Sequence, residues 1–212
     1  PDFMKKWWLT LAFGMGVFSS SAQRGATDLT VCYIKRLPEI PYVEHSRNPA
    51  VEGWAKEGDT VVWRAWVKNF APDTLRNVAY EFHLNSRPVL KGSFGAIAPG
   101  AMVFADYPLP WVKRRDAVTF VVDASDAVEE ASELNNRLTV YTDAITANFY
   151  VEQGLYDYFH ENQYKLGVGR NCWEDWAQAH VARWNRMFAE AVFPDSPNGV
   201  LDRIRIDSIA IV

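Results

Sequence analysis

The side chains best suited to chemistry in this sequence are four closely spaced carboxylates, Asp123, Asp126, Glu130 and Glu133. Hard cations such as Ca²⁺ bind several carboxylate oxygens, so these residues form a candidate calcium site. Their spacing differs from that of an EF-hand loop, in which the ligands alternate around a turn glycine. The alternative, which we favour, is structural: Asp126 caps a short helical turn, and no metal is needed.

The same stretch contains further residues suited to a turn. Glu129 follows Asp126 by three residues and is the expected reciprocal partner in a capping box. Asn135 or Asn136 is expected to adopt the left-handed conformation that ends the turn and starts the next strand. We therefore predict no cofactor, with calcium as the single alternative.

No other set of residues has the spacing of a familiar catalytic centre. The sequence contains no HExxH, GxSxG, P-loop or GxGxxG motif. Cys172 and His180 are the nearest approach to a thiol and its base, but along one helix they are separated by about 12 Å of rise. We expect His180 to be a packed core histidine and the chain not to be an enzyme. Whether Cys32 and Cys172 form a disulfide is left open by the sequence.

A second candidate site lies in a long irregular stretch from Leu37 to Gly58, which contains three prolines. Long loops on a β-sandwich often carry function, although a plain surface insertion fits this pattern equally well. Tyr42, His45 and Trp54 are the side chains in this loop that are best suited to contact a ligand.

The elements that must position these residues are short β-strands. Alternating apolar and polar residues occur at 29–33, 61–67, 78–84, 118–122 and 138–142. Turn residues separate the strands, including those at 85–88 and 108–111. Short alternating strands without long helical patterns between them predict a mainly β protein, an immunoglobulin-like antiparallel β-sandwich of about seven strands over residues 28–143.

After residue 143 the two-residue period ends, which predicts a boundary near residues 144–148. Residues 151–159 have the apolar spacing of a helix, and residues 201–212 form a β-like run. A small helix-helix-strand segment is therefore expected to follow the sandwich. We expect residues 147–212 to be the start of a second domain, completed by strands beyond residue 212, because a strand needs a neighbour for its backbone groups.

The second helix of this segment has the stronger signal. Asn171 is expected to cap it, and Glu174 to complete a capping box. The apolar stripe predicted to pack against other elements consists of Trp173, Trp176, His180, Trp184, Met187, Phe188 and Ala191. Glu174 and Asp175 lie largely off this stripe.

The first residues have the three regions of a secretory signal peptide. Two lysines follow Met4, an apolar run ends at Phe18, and small residues continue to Ala22. We therefore assign residues 4–22 as a signal peptide and expect a secreted, cell-surface or periplasmic protein. Because the apolar run is too short to span a bilayer, no membrane insertion is expected after cleavage.

The charge balance excludes one class of partner. The chain has 22 basic and 26 acidic residues, which gives a formal net charge of −4. It has no basic stripe or long charge run, which argues against a nucleic-acid partner. The aromatic content of 14% favours a packed globular protein over a disordered one.

The acidic stretch also resembles a family signature. Residues 121–136 read VVDASDAVEEASELNN, which resembles the CARDB domain (cell-adhesion-related domain found in bacteria), in which a strand ending in aspartate leads to an acidic turn and a Glu-x-Asn-Asn end. The matching residues are Asp123, Val128, Glu130, Glu133, Asn135 and Asn136. The resemblance covers about residues 28–143. It implies an immunoglobulin-like sandwich of an exported or surface protein, without catalytic residues.

These observations together predict an exported, non-catalytic binding or adhesion module of a bacterial surface or secreted protein. Its expected partners are a protein or a polysaccharide at the cell surface and further domains of the same chain. The alternative is an accessory N-terminal region of a larger secreted enzyme that acts on polysaccharide or protein. The catalytic domain of that enzyme would lie beyond residue 212.

Overall fold

The computed structural model describes residues 27–39, 55–166, 170, 172–190 and 203–212. In this part of the chain the elements are, in order, β1 (Leu29–Leu37), β2 (Thr60–Asn69), β3 (Leu75–Leu84), β4 (Arg87–Ile97), β5 (Met102–Pro110), β6 (Ala117–Val122), β7 (Arg137–Tyr141), β8 (Ile145–Val151), α1 (Gln153–Leu166), α2 (Trp173–Glu190) and β9 (Ile204–Ile211).

The first seven strands form a sandwich of two antiparallel sheets. One sheet has the strand order β1-β2-β5 and the other the order β4-β3-β6-β7. Their inner faces enclose a core that includes Trp63, Phe82 and Phe120, all fully buried. Because three strands face four and the chain crosses between the sheets, the sandwich is immunoglobulin-like. The predicted fold class is confirmed.

The alternation of β2 shows why the central strands were predictable. Its core-facing residues are Val61, Trp63, Ala65 and Val67, and those between them are half-buried on the outer face. Successive side chains of a strand point to opposite faces, so one apolar face and one mixed face produce a two-residue period.

The edge strands β4 and β5 begin or end in residues that the sequence analysis assigned to turns. Pro88 lies in β4, and Pro108 and Pro110 lie in β5. Proline lacks the N–H that a central strand must donate, so within sheets it occurs on edge strands. The turn before β4 consists of Asn85 and Ser86, both with positive φ. The prediction of turns throughout residues 85–88 and 108–111 is therefore wrong.

The strand β1 is buried on both faces. Val31 and Ile34 belong to the sandwich core, whereas Cys32 and Tyr33 belong to a second apolar cluster. The second cluster also includes residues of β8, α1, α2 and β9. A register shift between Val31 and Tyr33 breaks the strand alternation, so the successive side chains of Cys32 and Tyr33 lie on the same side. The segment after the sandwich thus shares a core with β1.

The helix α2 buries a different face from the predicted one. Its buried residues are Trp173, Glu174, Asp175, Ala177 and Val181. The predicted stripe is wrong in its second half, where Trp184, Met187 and Phe188 are exposed. Glu174 faces the sandwich, where Lys68 is its cationic partner. Asn171 lies outside the described residues, so the capping box that it was predicted to form with Glu174 stays a prediction.

The terminal strand β9 pairs in parallel with β8. Val151, which the sequence analysis assigned to the first helix, is the last residue of β8, and α1 begins at Gln153. The terminal strand therefore has a neighbour within the described residues. The expectation of further strands after residue 212 stays a prediction. Of the helices described, none combines the length and the apolarity that a membrane span requires.

Candidate functional site

The acidic stretch forms the turn between β6 and β7. Asp123 has a φ of 46°, and its carboxylate accepts hydrogen bonds from the backbone N–H groups of Ala127 at 3.1 Å and Val128 at 2.8 Å. Asp126 has a φ of 52° and an exposed side chain. Aspartate tolerates this conformation because its short side chain bonds the nearby backbone. Because Asp123 is the cap, the predicted cap at Asp126 is wrong. The predicted left-handed asparagine is also wrong, because the residues of this turn with positive φ are the two aspartates.

The other two carboxylates join the end of this turn to β1. Glu130 accepts hydrogen bonds from the backbone N–H of Leu29 and, at 2.9 Å, from the side-chain amide of Asn136. Glu133 accepts a hydrogen bond of 2.7 Å from the same amide. Burial, together with the nearby charges of Glu133 and Asp28, raises the pKa of Glu130 to about 7.

The structure thus brings together only two of the four predicted calcium ligands. Glu130 and Glu133 share Asn136, whereas Asp123 is directed to its own turn and Asp126 to solvent. Among the described residues, no three histidine, cysteine, aspartate or glutamate side chains are grouped as a metal ion requires. The calcium site stays a prediction.

The three loop residues with a predicted ligand contact, Tyr42, His45 and Trp54, lie outside the described residues. Their part in binding stays a prediction.

A groove of about 170 Å³ lies beside the acidic turn, between β7, Val31 of β1 and α2, and we call it the β7 groove. The strand contributes Arg137 and Leu138, and the helix contributes the small residues Ala179 and Ala182. Leu134, from the acidic turn, also lines the groove and is 80% exposed. The β7 groove therefore combines apolar surface with a charged group beside it.

The β7 groove has an excess of positive charge. Its charged lining residues are Arg137, Arg170 and Asp175. The guanidinium of Arg170 lies 3.4 Å from the buried carboxylate of Asp175, so these two charges offset each other. Burial raises the pKa of Asp175, and the charge of Arg170 opposes that rise. Arg137 is exposed and is the lining charge best placed to meet a ligand.

The strand β7 is the last in the order β4-β3-β6-β7, so β6 is its strand neighbour in that sheet. The N–H of Val122 donates to the carbonyl oxygen of Asn136 at 2.9 Å. Hydrogen-bonded and non-hydrogen-bonded pairs alternate in antiparallel sheets, so the next bonded residue of β7 is Leu138. The backbone N–H and C=O groups of Arg137 and Thr139 therefore point away from β6, toward the side on which the carbonyl oxygen of Asn135 accepts a hydrogen bond of 3.0 Å from the N–H of Val31 in β1.

A buried cluster of polar side chains holds the helices against the sandwich. Glu174, 2% exposed, accepts hydrogen bonds from the hydroxyl of Tyr156 at 2.7 Å and the ammonium group of Lys68 at 3.4 Å. Lys68 also donates to the Tyr156 hydroxyl at 2.6 Å. Nε2 of His160 lies 3.9 Å from Glu174, beyond hydrogen-bond distance, and burial lowers the pKa of His160. These groups are enclosed between two layers of structure.

The two cysteines are free and buried beside this cluster. The thiol of Cys172 lies 3.5 Å from the hydroxyl of Thr30, and the thiol of Cys32 donates to the Thr30 carbonyl oxygen at 3.6 Å. Burial raises the pKa of both thiols, so both are protonated and poorly nucleophilic. Nδ1 of His180 lies 3.0 Å from the carbonyl oxygen of Trp176, so this ring contacts its own helix.

Sequence reasoning missed the β7 groove and the buried cluster because both depend on contacts between distant residues. Lys68 and Glu174, for example, are 106 positions apart. One signal was present for each: Leu134 is an apolar residue inside an acidic turn, and Glu174 interrupts a run of tryptophans.

The solved structures that resemble this chain include two of one domain. One is the crystal structure of the CARDB domain of the PF1109 protein from Pyrococcus furiosus in complex with di-metal ions, with 14% identity, a TM-score of 0.40, and coverage of 55% of this chain and 92% of that chain. The other is the solution NMR structure of the same domain, with 16% identity, a TM-score of 0.41, and coverage of 55% and 93%. Both are CARDB domains, the family that residues 121–136 resemble. No protein-family model and no curated protein matches the chain.

Proposed function

We propose that this chain is a non-catalytic binding or adhesion module of an exported or surface-exposed bacterial protein, and that its ligand lies in the β7 groove. The observation that carries this proposal is the exposure of Leu134 beside Arg137 in a concave surface. Binding sites commonly combine apolar walls with a few placed polar groups. A protein or a polysaccharide of the cell surface is the proposed partner.

The placement of the reactive groups supports a binding role over a catalytic one. Lys68, Tyr156 and Glu174 bond one another beneath the helices, where a substrate would have to displace them. A buried polar network with these internal bonds stabilises packing. The one carboxylate that lines the β7 groove, Asp175, is paired with Arg170, and the rest of the lining consists of apolar, amide and arginine side chains.

Export is the part of the proposal that rests on sequence alone. The charged, apolar and small-residue regions of residues 4–22 support it, and they lie outside the described residues. Intact-mass measurement of the exported protein tests it. Cleavage after Ala22 is expected, and retention of residues 4–22 would contradict it.

Binding is tested with arrays of bacterial surface polysaccharides and of peptides, probed with the full chain. Leu134→Asp places a charge on the apolar side of the groove, and it is expected to weaken the array signals roughly tenfold or more. The matched control is Val89→Asp on the edge strand β4, where the valine is 41% exposed. This control is expected to keep the signals. An absence of signal, or signals that survive Leu134→Asp, would overturn the proposal.

A further inference from the structure

A buried guanidinium without a carboxylate partner lies near the end of β1. Arg36 is 4% exposed, and its Nη2 atom has no hydrogen-bond partner among the described residues. Its guanidinium carbon lies 5.4 Å from the ring centre of Trp111. A contact with an aromatic ring replaces only part of the hydration that a buried cation loses, so the charge of Arg36 needs a further partner.

A second buried arginine lies close to the first. Arg205 of β9 is also 4% exposed, and its guanidinium carbon lies 5.0 Å from the ring centre of Trp63. Trp63 is the cross-strand partner of Arg36, so these two side chains project from the same face of the sheet, with Cβ atoms roughly 5 Å apart. Burial, and after it the charge of Arg205, lowers the pKa of Arg36. The two cations therefore face each other at the junction of β1, β2 and β9.

The carboxylate at this junction belongs to Asp207, and it is bonded to Arg205. Nε of Arg205 donates to Oδ1 of Asp207 at 3.3 Å. Nη1 of Arg205 donates to the carbonyl oxygens of Tyr141 at 3.3 Å and Ala144 at 3.2 Å. Because one carboxylate accompanies two guanidinium groups, a positive charge is left unbalanced, and it lies on the side of Arg36.

The indole of Trp63 adds a second donor to this cluster. Its Nε1 atom is buried and has no hydrogen-bond partner in the described part of the chain. Guanidinium and indole N–H groups donate hydrogen bonds and cannot accept them. A water molecule would accept from these donors but would leave the positive charge unbalanced. The group that this cluster requires is therefore an acceptor with a negative charge.

We propose that Arg36, Arg205 and Trp63 hold a small inorganic anion of the size of chloride. The enclosure of the three side chains accounts for the size, because a bulky anion would have to displace the core around Trp63. The anion offsets the repulsion between Arg36 on the sandwich and Arg205 on the segment that follows it, so it stabilises the contact between the two. This site is separate from the β7 groove, whose lining includes none of these side chains.

The first test is urea unfolding of the full chain while chloride replaces gluconate, a much larger anion, at constant ionic strength. A site with a dissociation constant of about 10 mM raises the folded-to-unfolded ratio of the wild type about tenfold at 100 mM chloride. Arg36→Met removes the unbalanced cation and is expected to abolish this rise. The matched control is Arg76→Met, an exposed arginine of β3, which is expected to keep it. Equal chloride dependence in wild type and Arg36→Met, or none in wild type, would overturn the proposal.

A crystal of the full chain grown in bromide tests the site without a substitution. Bromide replaces chloride in such sites and is located by its anomalous scattering. The expected result is a bromide ion within hydrogen-bond distance of the guanidinium of Arg36, on the side of Arg205. Bromide at exposed arginines alone would be an adventitious ion only. That result, or a water molecule or a carboxylate of the chain at the expected position, would overturn the proposal.

Discussion

The substitution Glu130→Gln tests whether burial of one carboxyl controls the pH dependence of this fold. Glu130 is half-buried, and its carboxyl bonds the backbone of Leu29 and the amide of Asn136. Burial is the largest cause of its raised pKa, and the two hydrogen bonds oppose it. Glutamine preserves the size of the side chain and one acceptor oxygen but cannot ionise.

The magnitude follows from the difference between the folded and unfolded pKa values of Glu130. The pKa rises from 4.5 to about 7. A carboxyl whose pKa is higher in the folded state binds its proton more tightly there. Its contribution to the stability of the fold is therefore fully present below the unfolded pKa and is lost as the pH rises to about 7. At about 1.4 kcal/mol per pKa unit, the wild-type protein loses about 3 kcal/mol over this range.

Urea unfolding of both proteins at pH 4.5, 6, 7 and 8 measures this loss. At pH 4.5 the variant is expected to be less stable than wild type by about 1 kcal/mol, the contribution of one hydrogen bond. At pH 8 it is expected to be more stable than wild type by about 2 kcal/mol, because it buries no charge. The control is Glu129→Gln, an exposed neighbour, which should follow the wild-type curve. Parallel curves for wild type and Glu130→Gln would refute the reasoning.

Three further outcomes are expected. Thermal unfolding midpoints with chelator and with calcium should agree within a few degrees, because the acidic turn bonds itself; a large rise with calcium would show a site on the native state. Lys68→Met should lower the free energy of unfolding in urea by about 3 kcal/mol or more, because the buried carboxylate of Glu174 would lose its cation. The double variant, Lys68→Met with Glu174→Gln, should recover part of that loss. Burial lowers the pKa of His160, so the neutral imidazole stabilises the folded state above pH 6.5, and this stabilisation is lost as the pH falls. His160→Phe should remove that part of the acid dependence of the free energy of unfolding, and an unchanged dependence would contradict the reasoning.

The sandwich was predictable because its central strands each have one buried face. In β2 the core-facing residues alternate with half-buried ones, and that period is visible in the sequence. The edge strands β4 and β5 gave no such signal, because each has only one fully buried residue and because they contain Pro88, Pro108 and Pro110. A proline indicates a turn unless the position of the strand at the sheet edge is already known.

The candidate site was less predictable because its geometry comes from packing between distant parts of the chain. The apolar stripe of α2 indicated a buried face with Trp184 and Phe188, but the helix turns Glu174 inward to reach Lys68. That pairing can be recognised only when β2 and α2 are known to be neighbours. The acidic turn was correctly located from its local pattern. Its cap was assigned to Asp126 although Asp123, with the same side chain, reaches the backbone.

The most direct measurement of ligand binding in the β7 groove is a two-dimensional ¹H–¹⁵N NMR titration of the full chain with the strongest ligand from the polysaccharide and peptide arrays. The expected result is that the shifted backbone amides cluster on β7 and the facing side of α2, among them Arg137, Leu138 and Ala179. The amides of β4 and β5, two edge strands outside the groove lining, should not move. Shifts confined to β4 or β5, or a spectrum unchanged at saturating ligand, would contradict binding in the β7 groove.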